Sequence, residues 1–144
     1  MFRIVPAGFE VLLAHPGGPF WAKKDEGAWT IPKGLLDSQE PLEAAIREFV
    51  EETGFQPQGP FYPLGSVTQK AGKVVHGWAF EGECDPSKMK SNNVMTEWPK
   101  GSRQWISVPE VDRCEWFAPE IAKVKINPAQ VDFVDRLAET LGAT

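Results

Sequence analysis

Cysteine is scarce in this chain, and positive charge is in the minority. The 144 residues include two cysteines, Cys84 and Cys114, with one tyrosine and two histidines. Two lone cysteines make no disulfide framework, and they are expected to be reduced packing residues, not a bridge, a nucleophile or a metal pair. No charged segment precedes an apolar one at Met1, so no secretory signal is expected, and no apolar run approaches the roughly 18 residues of a membrane span. Lys and Arg number 15 against 20 Asp and Glu, a net charge of -5. That balance excludes broad attraction to nucleic-acid phosphates, and an anionic substrate would need a metal to offset the repulsion. The expectations are one compact domain over 1–144, no membrane, and a cytoplasmic location.

What is present has a readable order. Phe2 to Val5 and Val11 to His15 read as strands around Pro6-Ala7-Gly8, a hairpin. Trp29-Thr30-Ile31 is expected as a brief strand ended by Pro32-Lys33-Gly34. Pro41 suits a first helical position, Leu42, Ala45, Ile46 and Phe49 recur at helical spacing, and Gly54 is a stop, which predicts a helix over Pro41 to Thr53. Phe61 to Gln69 and Val74 to Phe80 read as a hairpin joined by Lys70-Ala71-Gly72-Lys73. In the second strand Val74, His76, Trp78 and Phe80 share a face, with Trp78 expected to be buried. Both His15 and His76 are read as structural. Glu83 to Gly101 is expected as a long polar loop before a strand at Arg103 to Val108. Asn127 can cap a last helix whose apolar stripe is Val131, Phe133, Val134, Leu137 and Leu141.

The helix from Pro41 carries the chemistry. Residues three and four apart share a helical face, so Glu48, Glu51 and Glu52 form one carboxylate cluster while Ile46 and Phe49 turn toward the core. Like charges repel, and a hard divalent cation, which prefers oxygen ligands, relieves that repulsion. Taken alone, the triplet is more often an ordinary solvated acidic face. The surroundings alter that reading: a glycine-bearing loop before the helix can offer backbone carbonyls, and Arg47 can hold the carboxylates in place.

Gly34 to Phe55 resembles a Nudix box, which runs Gly, five residues, Glu, seven residues, then Arg-Glu-apolar-x-Glu-Glu-x-Gly-apolar. Gly34 and Glu40 match the opening, and Arg47-Glu48-Phe49-Val50-Glu51-Glu52-Thr53-Gly54-Phe55 matches the whole second half. Six residues separate Glu40 from Arg47 where the pattern has seven. The shortening alters the turn that presents Glu40, so the role carried over rests on the three later glutamates. Val11-Leu12-Leu13, Gly27-Ala28-Trp29 and Ile31-Pro32-Lys33-Gly34 look like the family's approach to the box. The resemblance implies an α+β fold, an α/β/α sandwich with a mixed sheet flanked by helices.

It also implies hydrolysis of a phosphoanhydride in a nucleoside polyphosphate by activated water. Glu48, Glu51 and Glu52 would bind Mg2+ or Mn2+ with the Gly34 carbonyl, Arg47 would orient a carboxylate, and Lys33 would touch a phosphate oxygen. For the general base the candidates are Glu48, Glu52 and Glu97, the last from a loop able to close over the metals. An exposed loop glutamate with no catalytic part is an equally good reading of Glu97. Trp21, in a loop beside Phe20, is the candidate for stacking on a nucleobase, and Lys70 and Lys73 for distal phosphates, although hairpin-tip lysines usually only confer solubility. Trp-x-Ile-Pro-Lys-Gly resembles the diadenosine polyphosphate hydrolase branch, which favours dinucleoside polyphosphates or NTPs. The alternatives are an ADP-sugar or other nucleoside-diphosphate pyrophosphatase, and a nucleotide sensor without catalysis. The expected partner is a small nucleotide, nucleic acid entering only as a 5'-phosphorylated end, and the chain is a monomer or homodimer.

Overall fold

A computed structural model describes residues 1–32 and 41–142. Lys33, Gly34 and Glu40 lie outside the described residues. Strands β1 (Phe2–Val5) and β2 (Gly8–Pro16) form the expected hairpin, with Val5 opposite Gly8 at its turn. Residues Val11 to His15 are all buried, because β2 is covered on both faces and has no solvent side to make polar. Its other edge pairs antiparallel with β7 (Val111–Phe117), giving the order β1-β2-β7. Beyond β1 the sheet gains a parallel neighbour: the Phe2 amide donates to the Phe80 carbonyl at 3.0 Å and the Gly82 amide to the Phe2 carbonyl at 2.9 Å. The sheet is therefore mixed.

One face of this sheet packs Phe2, Val11 and Leu13 against α2 (Pro119–Lys125) and α3 (Val131–Thr140) through Ala122, Phe133, Val134 and Leu137. The opposite face packs Leu12, Phe80 and Cys114 against Phe49 of α1 (Pro41–Thr53). Helices on both faces make the expected α/β/α sandwich. Burial pushes the Cys114 thiol up to about 12 and raises Cys84 as well, as suits packing residues. Helix α1 ends as expected, with Gly54 at a φ of 77° and its amide donating to the Val50 carbonyl. Asn127 caps a short 3-10 turn, Pro128–Gln130, that leads into α3. Among the described residues no helix is long and apolar enough to cross a membrane.

Three expectations are corrected. In the hairpin of β3 (Tyr62–Thr68) and β4 (Val74–Ala79), the buried side of β4 is Val75, Gly77 and Ala79. A Cβ at Gly77 would stand 2.8 Å from the Phe133 ring, so α3 demands small residues there and the large ones face the other way. His76 is exposed and stacks on a half-buried Trp78, so neither is a core residue. Trp29 and Thr30 make only isolated bridges, to Ile126 and Ala14, in place of a strand. The supposed loop from Glu83 to Gly101 contains β5 (Asn93–Glu97), which pairs with β6 (Trp105–Pro109). Its Asn-Val-Met-Thr-Glu sequence lacks a buried alternation because neither face meets the core, and pairing with β6 supplies what local propensity does not. Arg103 sits in the turn at a φ of 62°, which delays β6 by two residues.

Candidate metal centre

Glu48 and Glu52 lie one turn apart on α1, and the fold brings a third carboxylate to them from outside the helix. One carboxylate oxygen from each of Glu48, Glu52 and Glu110 lies within 4.8 Å of the others. Glu110 is the residue between β6 and β7, and backbone hydrogen bonds set its place. The last turn of α1 offers its carbonyls outward: Glu51 accepts from the Asn92 amide at 2.8 Å and Thr53 from the Lys90 amide at 2.9 Å. The Asn92 carbonyl then accepts from the Glu110 amide at 2.9 Å, and the Glu110 carbonyl from the Gly17 amide at 3.1 Å. The helix end thus registers a residue that is distant in sequence onto its own acidic face.

The cluster is shielded unevenly. Glu52 is 3% exposed, whereas Glu48 and Glu110 are half-buried. Burial raises the Glu48 pKa above the usual carboxylate range, and the neighbouring Glu51 carboxylate adds to the shift while Arg47 opposes it. Arg47 reaches both neighbours, its Nη1 lying 2.9 Å from Glu48 Oε1 and 3.4 Å from Glu51 Oε1. Glu51 is therefore held at the rim by Arg47 and does not belong to the group of three. Glu97 is also elsewhere: its two oxygens accept from the Gly101 and Arg103 amides at 3.0 and 3.1 Å, closing the turn of the β5–β6 hairpin.

Of the other candidates, Trp21 stands half-buried with its ring 5.0 Å from Phe20 in an edge-to-face contact. Lys70 and Lys73 are exposed at the tip of the β3–β4 hairpin. That tip is tied to Thr30 and Ile31, since Gln69 Oε1 accepts from Gln130 Nε2, and Gln130 Oε1 accepts from Thr30 Oγ1 and the Ile31 amide. Glu110 was not singled out by sequence; its only local mark is its place between two β-rich segments. Three carboxylates converging in a half-shielded site make a donor set for a hard divalent ion.

The NUDIX domain model matches residues 2–137. Among solved structures the chain is similar to an Ap4A hydrolase from C. elegans, at 18% identity over 99% of this chain and 95% of that one, with a TM-score of 0.66. It is also similar to the Nudix hydrolase RenU from M. smegmatis, at 19% identity over 98% and 81% and a TM-score of 0.54. The E. coli ORF135 protein follows at 18% identity over 96% and 84%, with a TM-score of 0.54. No curated protein matches by sequence. At such identities the solved structures establish the fold, and the domain match across residues 2–137 establishes more: the chain belongs to the Nudix family and is a hydrolase of the pyrophosphohydrolase class.

Proposed function

We propose that the chain hydrolyses a phosphoanhydride in a nucleoside polyphosphate with a divalent cation, Mg2+ or Mn2+, held by Glu48, Glu52 and Glu110. The observation that carries this is the convergence of those three carboxylates from two separate elements. Oxygen atoms within 4.8 Å of one another suit a cation that takes carboxylate ligands at about 2.0–2.6 Å. Such a cation offsets the substrate's charge and acidifies an attacking water. Glu48 takes the water's proton: it stands in the cluster beside the cation, and Arg47 Nη1, 2.9 Å from its Oε1, fixes its direction. Glu97 suits this role less, because both of its oxygens are occupied by the hairpin turn.

Glu51 stands beside the group as a further ligand available when Arg47 lets it go. The Gly34 carbonyl and Lys33 remain proposed contacts to metal and phosphate. Lys70 and Lys73 are proposed contacts to distal phosphates, on a hairpin tip that Gln69 and Gln130 link to Thr30 and Ile31. A dinucleoside polyphosphate or an NTP is the favoured substrate. The Trp29 to Gly34 stretch and the likeness to an Ap4A hydrolase support it. One domain over 1–144 carries the whole reaction.

The test is release of phosphate products from diadenosine tetraphosphate, NTPs, ADP-ribose, ADP-glucose and triphosphorylated RNA with Mg2+, in wild type and in Glu48→Gln, Glu52→Gln and Glu110→Gln. Hydrolysis by wild type and its loss in all three is expected. A wild type that binds nucleotides and hydrolyses none would replace this reading with that of a sensor.

A further inference from the structure

Glu110 has a second surroundings besides the carboxylate cluster. It stands in the wall of an open groove between residues 16–21 and the β5–β6 hairpin, with a cavity volume of about 570 Å³. That volume is within the range of about 300–1,000 Å³ typical of small-molecule sites. Four aromatic rings, Phe20, Trp21, Trp98 and Trp105, stand in its walls among smaller apolar and polar side chains, with Lys100 at the hairpin turn. Three of these rings are left in water to an unusual degree, Phe20 by 51%, Trp98 by 37% and Trp105 by 60%. Large aromatics gathered around one groove, and not scattered singly, mark a place where something flat is covered.

Both walls are held in place by contacts that the metal cluster does not need. His15, fully buried, bridges the Lys24 carbonyl at 2.7 Å and Asp112 at 2.9 Å, tying the loop that carries Phe20 and Trp21 to β7. Gly17 lies so close to β6 that a Cβ there would stand 2.0 Å from the Pro109 carbonyl oxygen. Across the groove, Glu97 closes the hairpin turn. Lys24 Nζ sits 3.7 Å from the centre of the Phe20 ring, so a cation already covers one face at the rim.

We infer that this groove is a base-binding subsite, taking a nucleobase of the substrate onto the Trp21, Trp98 and Trp105 walls while its phosphates run past Glu110 to the acidic cluster. The inference rests on the proposed hydrolysis only for which substrate brings the base. Aromatic faces accept any base, Lys100 offers a donor or a phosphate contact, and the groove leads directly to one carboxylate of the cluster. Stacking on aromatic residues adds affinity that every base can draw on. The groove therefore prefers substrates with a nucleoside over bare polyphosphate.

AMP separates this subsite from catalysis, because it has the base and no phosphoanhydride. Calorimetric titration with AMP is expected to show binding that Trp98→Ala and Trp105→Ala each weaken about tenfold, while affinity for inorganic tripolyphosphate stays within about twofold. Ile121→Ala, on exposed α2, is the control and leaves AMP affinity unchanged. In hydrolysis assays the same two Trp variants raise the KM for ATP. AMP affinity unchanged in both variants, or absent in wild type, overturns the subsite. So does sedimentation showing a concentration-dependent dimer that Trp105→Ala disperses, since the hairpin would then cover a second copy. Loss of AMP binding in the variants of a chain that hydrolyses no polyphosphate keeps the subsite and removes the proposed reaction.

Discussion

Helix α1 and the β5–β6 hairpin meet at Glu110, yet they are held by different means. Helix α1 buries Phe49 against Phe80 at 5.1 Å and has its last-turn carbonyls taken by the Lys90 and Asn92 amides. The hairpin packs chiefly on itself, is closed at its tip by Glu97, and leaves Val94, Met95, Trp105 and Ile106 in water. A two-stranded hairpin is only marginally stable alone. The difference follows from the task of each. Ligands of a cation must keep their geometry within about 0.5 Å, so they stand on an element anchored in the core. A surface that covers a flat ring can yield and reclose, so it stands on an element of low local stability.

The largest effect that could break this comparison is on the reaction itself. Glu110→Gln is expected to lower kcat for nucleotide hydrolysis by about 10²–10⁴-fold, as Glu48→Gln and Glu52→Gln do, read as phosphate released with saturating Mg2+. Glu51→Gln, at the rim with Arg47, should cost at most about 10–100-fold. Full activity in Glu110→Gln would assign that residue to the hairpin alone and leave the cluster without its third member.

Sequence made one of the two regions visible and hid the other. Glu48 and Glu52 share a helical face by their spacing alone, and Pro41, Phe49 and Gly54 marked the helix that carries them, so α1 was legible from end to end. The apolar stripe of α3 was legible for the same reason, since local periodicity reports burial, and β2 was legible as the unbroken apolar run Val11-Leu12-Leu13. Glu110 was not, because it joins the cluster through Asn92 and the carbonyl of Glu51, a relation that no spacing encodes. Strand β5 was not, because an exposed strand carries no alternation. Trp78 misled in the opposite sense: its apolar neighbours suggested the core, but Phe133 at Gly77 decided which face went inward.

Metal loading gives the next largest effect and acts on the α1 side. An ion bound only by the folded chain stabilises it by about 2.7 kcal/mol at a concentration of 100 Kd, roughly 5–10 °C in Tm for a domain of this size. Wild type should therefore gain that much in Tm from Mg2+ and lose it in EDTA, while Glu52→Gln and Glu110→Gln show little change between the two. Trp105→Ala should keep the gain in full, since it touches only the groove. An equal loss in Trp105→Ala would mean that the two regions are one site. Gly17→Ala should affect both regions, because its methyl cannot coexist with Pro109: an expected loss of about 1–3 kcal/mol appears as a lower denaturation midpoint, and AMP affinity and Mg2+ gain fall together.

The smallest expected effect concerns Glu48 in the absence of metal, and its sign is opposite to that of every other change at the cluster. Burial and the Glu51 carboxylate hold the Glu48 pKa above 4.5, its ordinary value, in the folded state. The folded chain therefore binds that proton more tightly than the unfolded chain does. The stability it contributes is present in full below pH 4.5 and is lost as pH rises through the folded-state pKa. Glutamine has no proton to lose. In EDTA, thermal melts should show wild type losing stability relative to Glu48→Gln as pH rises from about 4 toward 7, so the variant is the more stable at neutral pH. Adding Mg2+ should reverse the order, because the ion stabilises wild type and not the variant. A variant less stable than wild type in EDTA at pH 7 would show that Arg47 outweighs burial at Glu48, and that the carboxylates of α1 do not strain the fold in the way a vacant cation site must.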